Sequence, residues 1–195
     1  MDQLNKIFTK HIDEGRFPGV QWQINIKDET YSGNVGYNNI ETKEPVLDNT
    51  IYRIWSMTKP VVAVAALQLL EQNRIKLDDL VTKYLPEFSN LKVLKKEHSS
   101  IDDVEDLKTN PTIKDLFLHT AGFSYNFLAD PIGKQYDEIK LFHSDTTTLE
   151  EEIRKLAELP LLNQPKTKWV YSVSMDVLGR ILEVVLNDTL QNILQ

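Results

Sequence analysis

The sequence predicts a mixed α/β chain of the α+β kind, in which a short antiparallel hairpin precedes a mainly helical remainder. Val20, Trp22, Ile24 and Ile26 alternate with Gln21, Gln23, Asn25 and Lys27, the period of a half-buried strand. After the turn at "KDET", Tyr31, Gly33, Val35 and Tyr37 continue as a second strand. From Ser56 onward the apolar residues recur mostly at helical spacing, and few later segments alternate. An isolated hairpin is marginal in water. The two strands therefore call for a larger sheet whose remaining strands are hard to find in this chain.

The elements follow in order. Leu4, Ile7, Phe8, His11 and Ile12 lie on one face of an opening helix, stopped by Gly15 and "FPG". After the hairpin comes a loop over residues 38–49 and a short apolar piece, "TIYRIW". A helix is expected from about Ser56 to Gln72, apolar on most sides and hence buried, with Pro60 in its first turn and Asn73 at a left-handed C-cap. "KLDDLVTKYLPEF" reads as a short helix or turn closed by Pro86, and residues 89–111 as a polar surface excursion. "TIKDLFLHTAGF" is a short helix with Thr112 or Asn110 near its cap and Gly122 at its end. "TLEEEIRKLAELPLL" is an amphipathic helix entered from "SDTTT". "KTKWVYS" is extended, and "SVSMDVLGRILEVVL" is an apolar helix followed by a turn at Asn187 and Asp188 and the first apolar positions of another helix.

Composition narrows the function. The formal charge is −7 and Lys and Arg form no basic block, so a nucleic acid is not an expected partner. No run approaches the ~20 apolar residues of a membrane span. There is no cysteine, and the histidines (His11, His98, His119, His143) are dispersed, so no metal and no cofactor is expected. The charged N-terminal stretch lacks the apolar core of an export signal, which leads to the expectation of a cytoplasmic location.

One short pattern carries chemistry. Ser56-Met57-Thr58-Lys59 is S-x-x-K at the start of the apolar helix. The plain reading makes Ser56 an N-cap and Lys59 a solvated first-turn charge. A lysine is disfavoured there by the helix dipole, however, and helical spacing puts the two side chains on one face. A serine becomes a nucleophile beside a base, and a lysine serves as that base if burial and positive surroundings lower its pKa. Ser89-Asn90-Leu91-Lys92 has the same pattern but lies in the polar excursion. No G-x-S-x-G elbow is present.

The blocks "IYRIWSMTKPVVAVAALQLLEQNRIKLDDLVTKYLPEF", "TIKDLFLHTAGF" and "KWVYSVSMDVLGRILEVV", in that order, resemble the β-lactamase-related serine hydrolases: class C β-lactamases, D-Ala-D-Ala carboxypeptidases and esterases of the same fold. The resemblance runs from about residue 4 to residue 195. It implies the β-lactamase/transpeptidase-like fold, an antiparallel sheet flanked by helices plus a mainly helical region. It implies Ser56 as the acylated nucleophile, Lys59 as its proton acceptor, and Tyr171 as the first residue of a Y-x-N or Y-S-x motif that shares the acid–base work. Tyr37-Asn38-Asn39 also spells Y-x-N, but at a strand end ahead of the nucleophile. His119 matches a block that packs near the site and is expected to be structural.

Two departures refine the expectation. The second motif reads Tyr171-Ser172-Val173, and Val173 cannot offer the amide hydrogen bond that an asparagine gives, which favours the esterase-like branch. The family's third motif, K-T-G or H-x-G on a later strand, is missing, since "KTK" at residues 166–168 precedes Tyr171 and lacks the glycine. The chain is thus expected to be an incomplete domain over 1–195: residues 1–55 form the helix and hairpin of the α/β part, and 56–195 the mainly helical part. The expected substrate is a small-molecule ester or amide. A β-lactamase, a carboxypeptidase and an inactive fragment or binding module of the same fold are the alternatives, and a dimer or a complementing C-terminal fragment is the expected partner.

Overall fold

Leu4, Ile7 and Phe8 lie on the helix α1 (Asp2–Asp13), which packs on the second strand of a small antiparallel sheet. The computed structural model describes residues 2–143 and 146–195, in two units, Met1–Ile54 and Trp55–Gln195. In the first unit, β1 (Gly19–Ile26) pairs with β2 (Glu29–Asn39) and sets Trp22 opposite Gly33. The Trp22 indole lies over the bare Gly33 backbone, where a Cβ would come within 2.8 Å of the ring, and its Nε1 donates to Asn5 Oδ1 of α1 at 2.9 Å. Trp22 is therefore buried, whereas Ile24 and Ile26 on the same strand are exposed. The expected half-buried face is covered only at the Trp22 end. The loop expected after Tyr37 is interrupted by β3 (Glu44–Pro45), a third strand on the edge of β2. Two residues, one of them proline, are too few to alternate visibly.

The second unit begins with a 3-10 turn at Trp55–Met57 that runs into α2 (Thr58–Glu71). Asn73 closes this helix in the left-handed conformation: its N–H reaches Leu70 O and the Arg74 N–H reaches Leu69 O, the paired bonds of a Schellman ending. The expectation that α2 is buried on most sides is corrected. Val62, Ala66 and Leu69 are buried, but Val61, Val64 and Leu67 are 43%, 56% and 52% exposed. The helix packs against a single neighbouring helix along one stripe, and the opposite apolar stripe meets solvent.

"KLDDLVTKYLPEF" forms two 3-10 turns, Val81–Lys83 and Pro86–Asn90, the second opened by Pro86. The excursion 89–111 is also corrected. It contains an antiparallel pair, β4 (Lys92–Leu94) and β5 (Val104–Asp106), and Leu91, Val93 and Leu94 are buried, with Val93 bridged to Leu161. Strands of three residues leave too short an alternation to stand out among charged neighbours.

Helix α3 (Ile113–Phe117) starts at Thr112 in a capping box with Asp115. It ends at Phe117, before Gly122. Helix α4 (Pro131–Glu138) was not expected, although Asp130 caps it and Pro131 opens it in the usual way. Helix α5 (Leu149–Ala157) begins at Thr148 in a second capping box, with Glu151. Of its expected lead-in "SDTTT", Ser144 and Asp145 lie outside the described residues. Helix α6 (Ser174–Leu186) ends at left-handed Asn187, and α7 (Leu190–Ile193) follows, capped by Thr189. Helix α6 is the hub: α2, α3, α5 and α7 all pack against it, and Val177, Leu178, Ile181 and Leu182 are fully buried.

One loop ties this hub to the rest. Gly122 has φ +95°, and its carbonyl accepts the Leu162 N–H at 2.8 Å. A Cβ there would lie 2.2 Å from the Asn163 carbonyl oxygen. Gly122→Ala should lower stability by more than the ~1–3 kcal/mol of the backbone strain alone. A urea midpoint equal to that of the parent would refute this account.

Candidate active site

Trp55, the residue before the serine, holds φ +47°, a left-handed backbone that a bulky residue adopts at a cost. The chain turns there and presents Ser56 at the head of α2. Ser56 does not act as an N-cap: Met57 occupies that position and no side chain caps the helix. The Ser56 hydroxyl is instead held from two sides. Tyr171 OH donates to Ser56 Oγ at 2.9 Å, and Lys59 Nζ donates to the same oxygen at 3.4 Å. Lys59 and Ser56 meet because they are three residues apart at a helix start.

Lys59 also donates to Tyr125 OH at 3.4 Å. Its Nζ lies 5.1 Å from the centroid of the Tyr125 ring and 4.9 Å from that of Tyr171. Those two rings stack at 5.5 Å with planes 8° apart. An ammonium near two stacked phenols gains cation–π attraction on top of its hydrogen bonds.

Tyr171 is delivered by a laced pair of extended segments. The Val170 N–H donates to His119 O (3.0 Å), the Val173 N–H to Ser124 O (3.1 Å) and the Lys166 N–H to Thr120 O (2.8 Å). The Ser172 N–H donates to His119 Nδ1 at 3.2 Å, which places the ring proton of neutral His119 on Nε2. Burial, and then the charge of Lys59, hold the His119 pKa below its ordinary value, so the ring is neutral. Its ring packs 5.1 Å from that of Tyr171. His119 thus supports the tyrosine, and it does not touch Ser56.

The charges depart from the sequence argument in one respect. Burial does pull the Lys59 pKa down, but hydrogen bonding to Tyr171 and the interactions with Tyr125 and Asp176 outweigh it, and the net shift is upward. For Tyr171 burial pushes upward, the Ser56 hydroxyl and Lys59 pull down, and the net shift is downward. Lys59 and Tyr171 thus each stabilise the charged form of the other.

The site opens on a cavity of about 550 Å³ walled by Val62, Phe142, Val173, Met175 and other apolar side chains. Val173 is buried, with its N–H already engaged by Ser124. Two residues at this site had not been singled out in the sequence, Tyr125 and Asp176. Tyr125 follows His119 by six residues, in the same laced loop, and Asp176 follows Tyr171 by five, in the first turn of α6. Both belong to blocks already marked, but their roles depend on how those blocks meet. The second S-x-x-K is no site: Ser89 is exposed and donates to Pro86 O, and Lys92 pairs with Asp106. Tyr37 sits in β2.

A family model described as Beta-lactamase matches residues 4–195. The chain belongs to the beta-lactamase family. Among relatives of this beta-lactamase-family chain, Esterase EstB of Burkholderia gladioli is 33% identical over 187 residues, 93% of this chain and 44% of the relative. Lovastatin esterase of Penicillium rubens is 31% identical over 156 residues, 80% of this chain and 38% of the relative. The solved structure of "EstCE1, a hydrolase with promiscuous acyltransferase activity" superposes with a TM-score of 0.81 at 30% identity, over 99% of this chain and 49% of that one. The chain spans less than half the length of these relatives.

Asp176 gives the site a measurable signature. Burial pushes its pKa from 3.8 to about 6, although Lys59 pulls the other way. A carboxyl whose folded pKa is raised contributes stability that is full below its unfolded pKa and is lost as pH rises through the folded value. Asp176→Asn should thus stabilise the protein at pH 8, by an amount on the order of 1–3 kcal/mol, and leave stability near pH 4 unchanged. Urea titrations at the two pH values check this, and an equal difference at both would contradict it.

Proposed function

We propose that the chain carries the nucleophile and the proton-transfer groups of a serine hydrolase that works through an acyl-enzyme on esters. The observation that carries this reading is the Ser56 hydroxyl held at 2.9 Å by Tyr171 and at 3.4 Å by Lys59 at an apolar cavity. A nucleophile and its base within hydrogen-bond reach, the base oriented by further groups, is the arrangement such catalysis requires. The names of esterase and acyltransferase relatives point the same way.

In the proposed cycle Tyr171, as phenolate beside the Lys59 ammonium, takes the Ser56 proton. Ser56 Oγ bonds to the acyl carbon, and the carbonyl electrons move onto oxygen. When the intermediate collapses, the ester C–O bond breaks and Tyr171 returns its proton to the departing alkoxide. Water then repeats the sequence and frees the acid, or a second alcohol does so and leaves a new ester. We assign the proton-accepting role to Tyr171 rather than to Lys59, because their pKa shifts run in opposite directions. N–H groups at the uncapped start of α2 lie beside Ser56 and are candidates to stabilise the oxyanion.

Esters are preferred over β-lactams in this reading because Val173 offers no side-chain hydrogen bond to an amide and turns an apolar surface to the cavity. A β-lactamase or carboxypeptidase is the second reading, favoured by the family model. A second copy or a complementing polypeptide is proposed to cover the exposed stripe Val61, Val64 and Leu67 of α2.

A fluorophosphonate probe should add to Ser56 in the parent and to nothing in Ser56→Ala, and Ser89→Ala should be silent. Equal turnover in Ser56→Ala and the parent would overturn the assignment. Lys59→Met and Tyr171→Phe should each slow acylation by ~10²–10⁴-fold. Their double mutant should lose far less than the product of the two, since the residues act as a unit. Nitrophenyl esters should turn over faster than a chromogenic cephalosporin, and the reverse order would favour the second reading.

A further inference from the structure

Lys59 and Asp176 are the only lysine, arginine or carboxylate side chains on the cavity wall among the described residues. Neither forms an ion pair among those residues. The hydrogen bonds of Lys59 go to the hydroxyls of Ser56, Tyr125 and Tyr171. Asp176 is half-buried in the first turn of α6, with Val173 and Met175 beside it on the same wall. A cation and an anion that face one apolar cavity interact through a medium of low dielectric, where attraction persists beyond contact distance.

We propose that Asp176 is the counter-charge of the Lys59 ammonium and, through it, a positioning residue for proton transfer at Ser56. The inference rests on the serine-hydrolase reading. Ionised Asp176 keeps the proton on Lys59, and a lysine that keeps its proton cannot accept the one from Ser56. The transfer is left to Tyr171, whose phenolate the same ammonium stabilises. Asp176 thereby selects which of two basic groups does the work, without touching the reacting atoms.

Among the described residues no other Asp or Glu lines the cavity, and Asp130 before α4 and Glu183 on α6 are bonded to Ser124 and to Arg180. Helix α2 contributes Lys59 to this cavity, the loop before α4 contributes Tyr125, and the segment ahead of α6 leads in from Tyr171. His143 lies on the same wall, and His119 is turned to Ser172. On α3, Asp115 is bonded to Thr112 and Thr120. On α5, Glu150 is taken by Arg154 and Arg180, and Glu152 by Lys155. Helix α7 (Leu190–Ile193) has no titratable side chain. The Asp176 carboxyl ionises near pH 6, so the counter-charge is present above that pH and is withdrawn below it.

The test reads the protonation of Lys59 directly. The protein is labelled with ¹³Cε-lysine, and the Lys59 resonance is assigned by its loss in Lys59→Met. Its titration is followed in the parent, Asp176→Asn, Asp176→Glu and the surface control Glu97→Gln. The Lys59 midpoint should fall by about one pH unit or more in Asp176→Asn, recover in Asp176→Glu and stay put in Glu97→Gln. The onset of fluorophosphonate labelling of Ser56 with pH should move in Asp176→Asn as well. An unchanged Lys59 midpoint in folded Asp176→Asn overturns the inference, whatever Ser56 does. A shifted midpoint together with a Ser56 that no probe labels supports the charge pairing and overturns the hydrolase reading instead.

Discussion

The hydrogen bond between Tyr171 and Ser56 joins residues 115 apart in the sequence, and the rest of the second unit is arranged so that it can form. One partner hangs from the head of α2 and the other from the strand-like lead into α6. The gap between them is fixed by two contacts made elsewhere: α2 packed on α6, and the loop 119–124 laced to residues 162–173. Each uses backbone groups or fully buried apolar side chains, which tolerate little drift. The Ser56 residue itself is exposed.

The surroundings of Lys59 favour its charged form. Burial pulls its pKa down, the direction a basic role would need. Hydrogen bonds and charge interactions with Tyr171, Tyr125 and Asp176 outweigh that effect, and the net shift is upward. The same residues at the same spacing support either proton path. In the proposed mechanism the choice between them falls to side chains from other parts of the chain.

Much of the site was legible because helical spacing makes Ser56 and Lys59 neighbours whatever surrounds them. Tyr171 was found by resemblance of its block, since an isolated tyrosine before an apolar helix reads equally well as core. Tyr125 and Asp176 were not legible: nothing local distinguishes them, and they reach Lys59 only after distant segments pair. In the fold, capped and strongly periodic helices such as α5 and α6 were plain. Helix α4 was overlooked despite its Asp-Pro start, and β4 and β5 were hidden by charged residues in strands of three. Burial of α2 was misjudged because apolar periodicity states which sides could be covered, not which are.

That exposed stripe of α2 has a mechanical meaning. A helix gripped along one edge has fewer contacts to hold its tilt than one gripped on two. Ser56 stands at the head of this helix, whereas Tyr171 is laced to the loop 119–124 beside α6. Val61, Val64 and Leu67 lie one to three turns down the helix from Ser56. The head of the helix that carries Ser56 and its exposed apolar stripe thus belong to one continuous element.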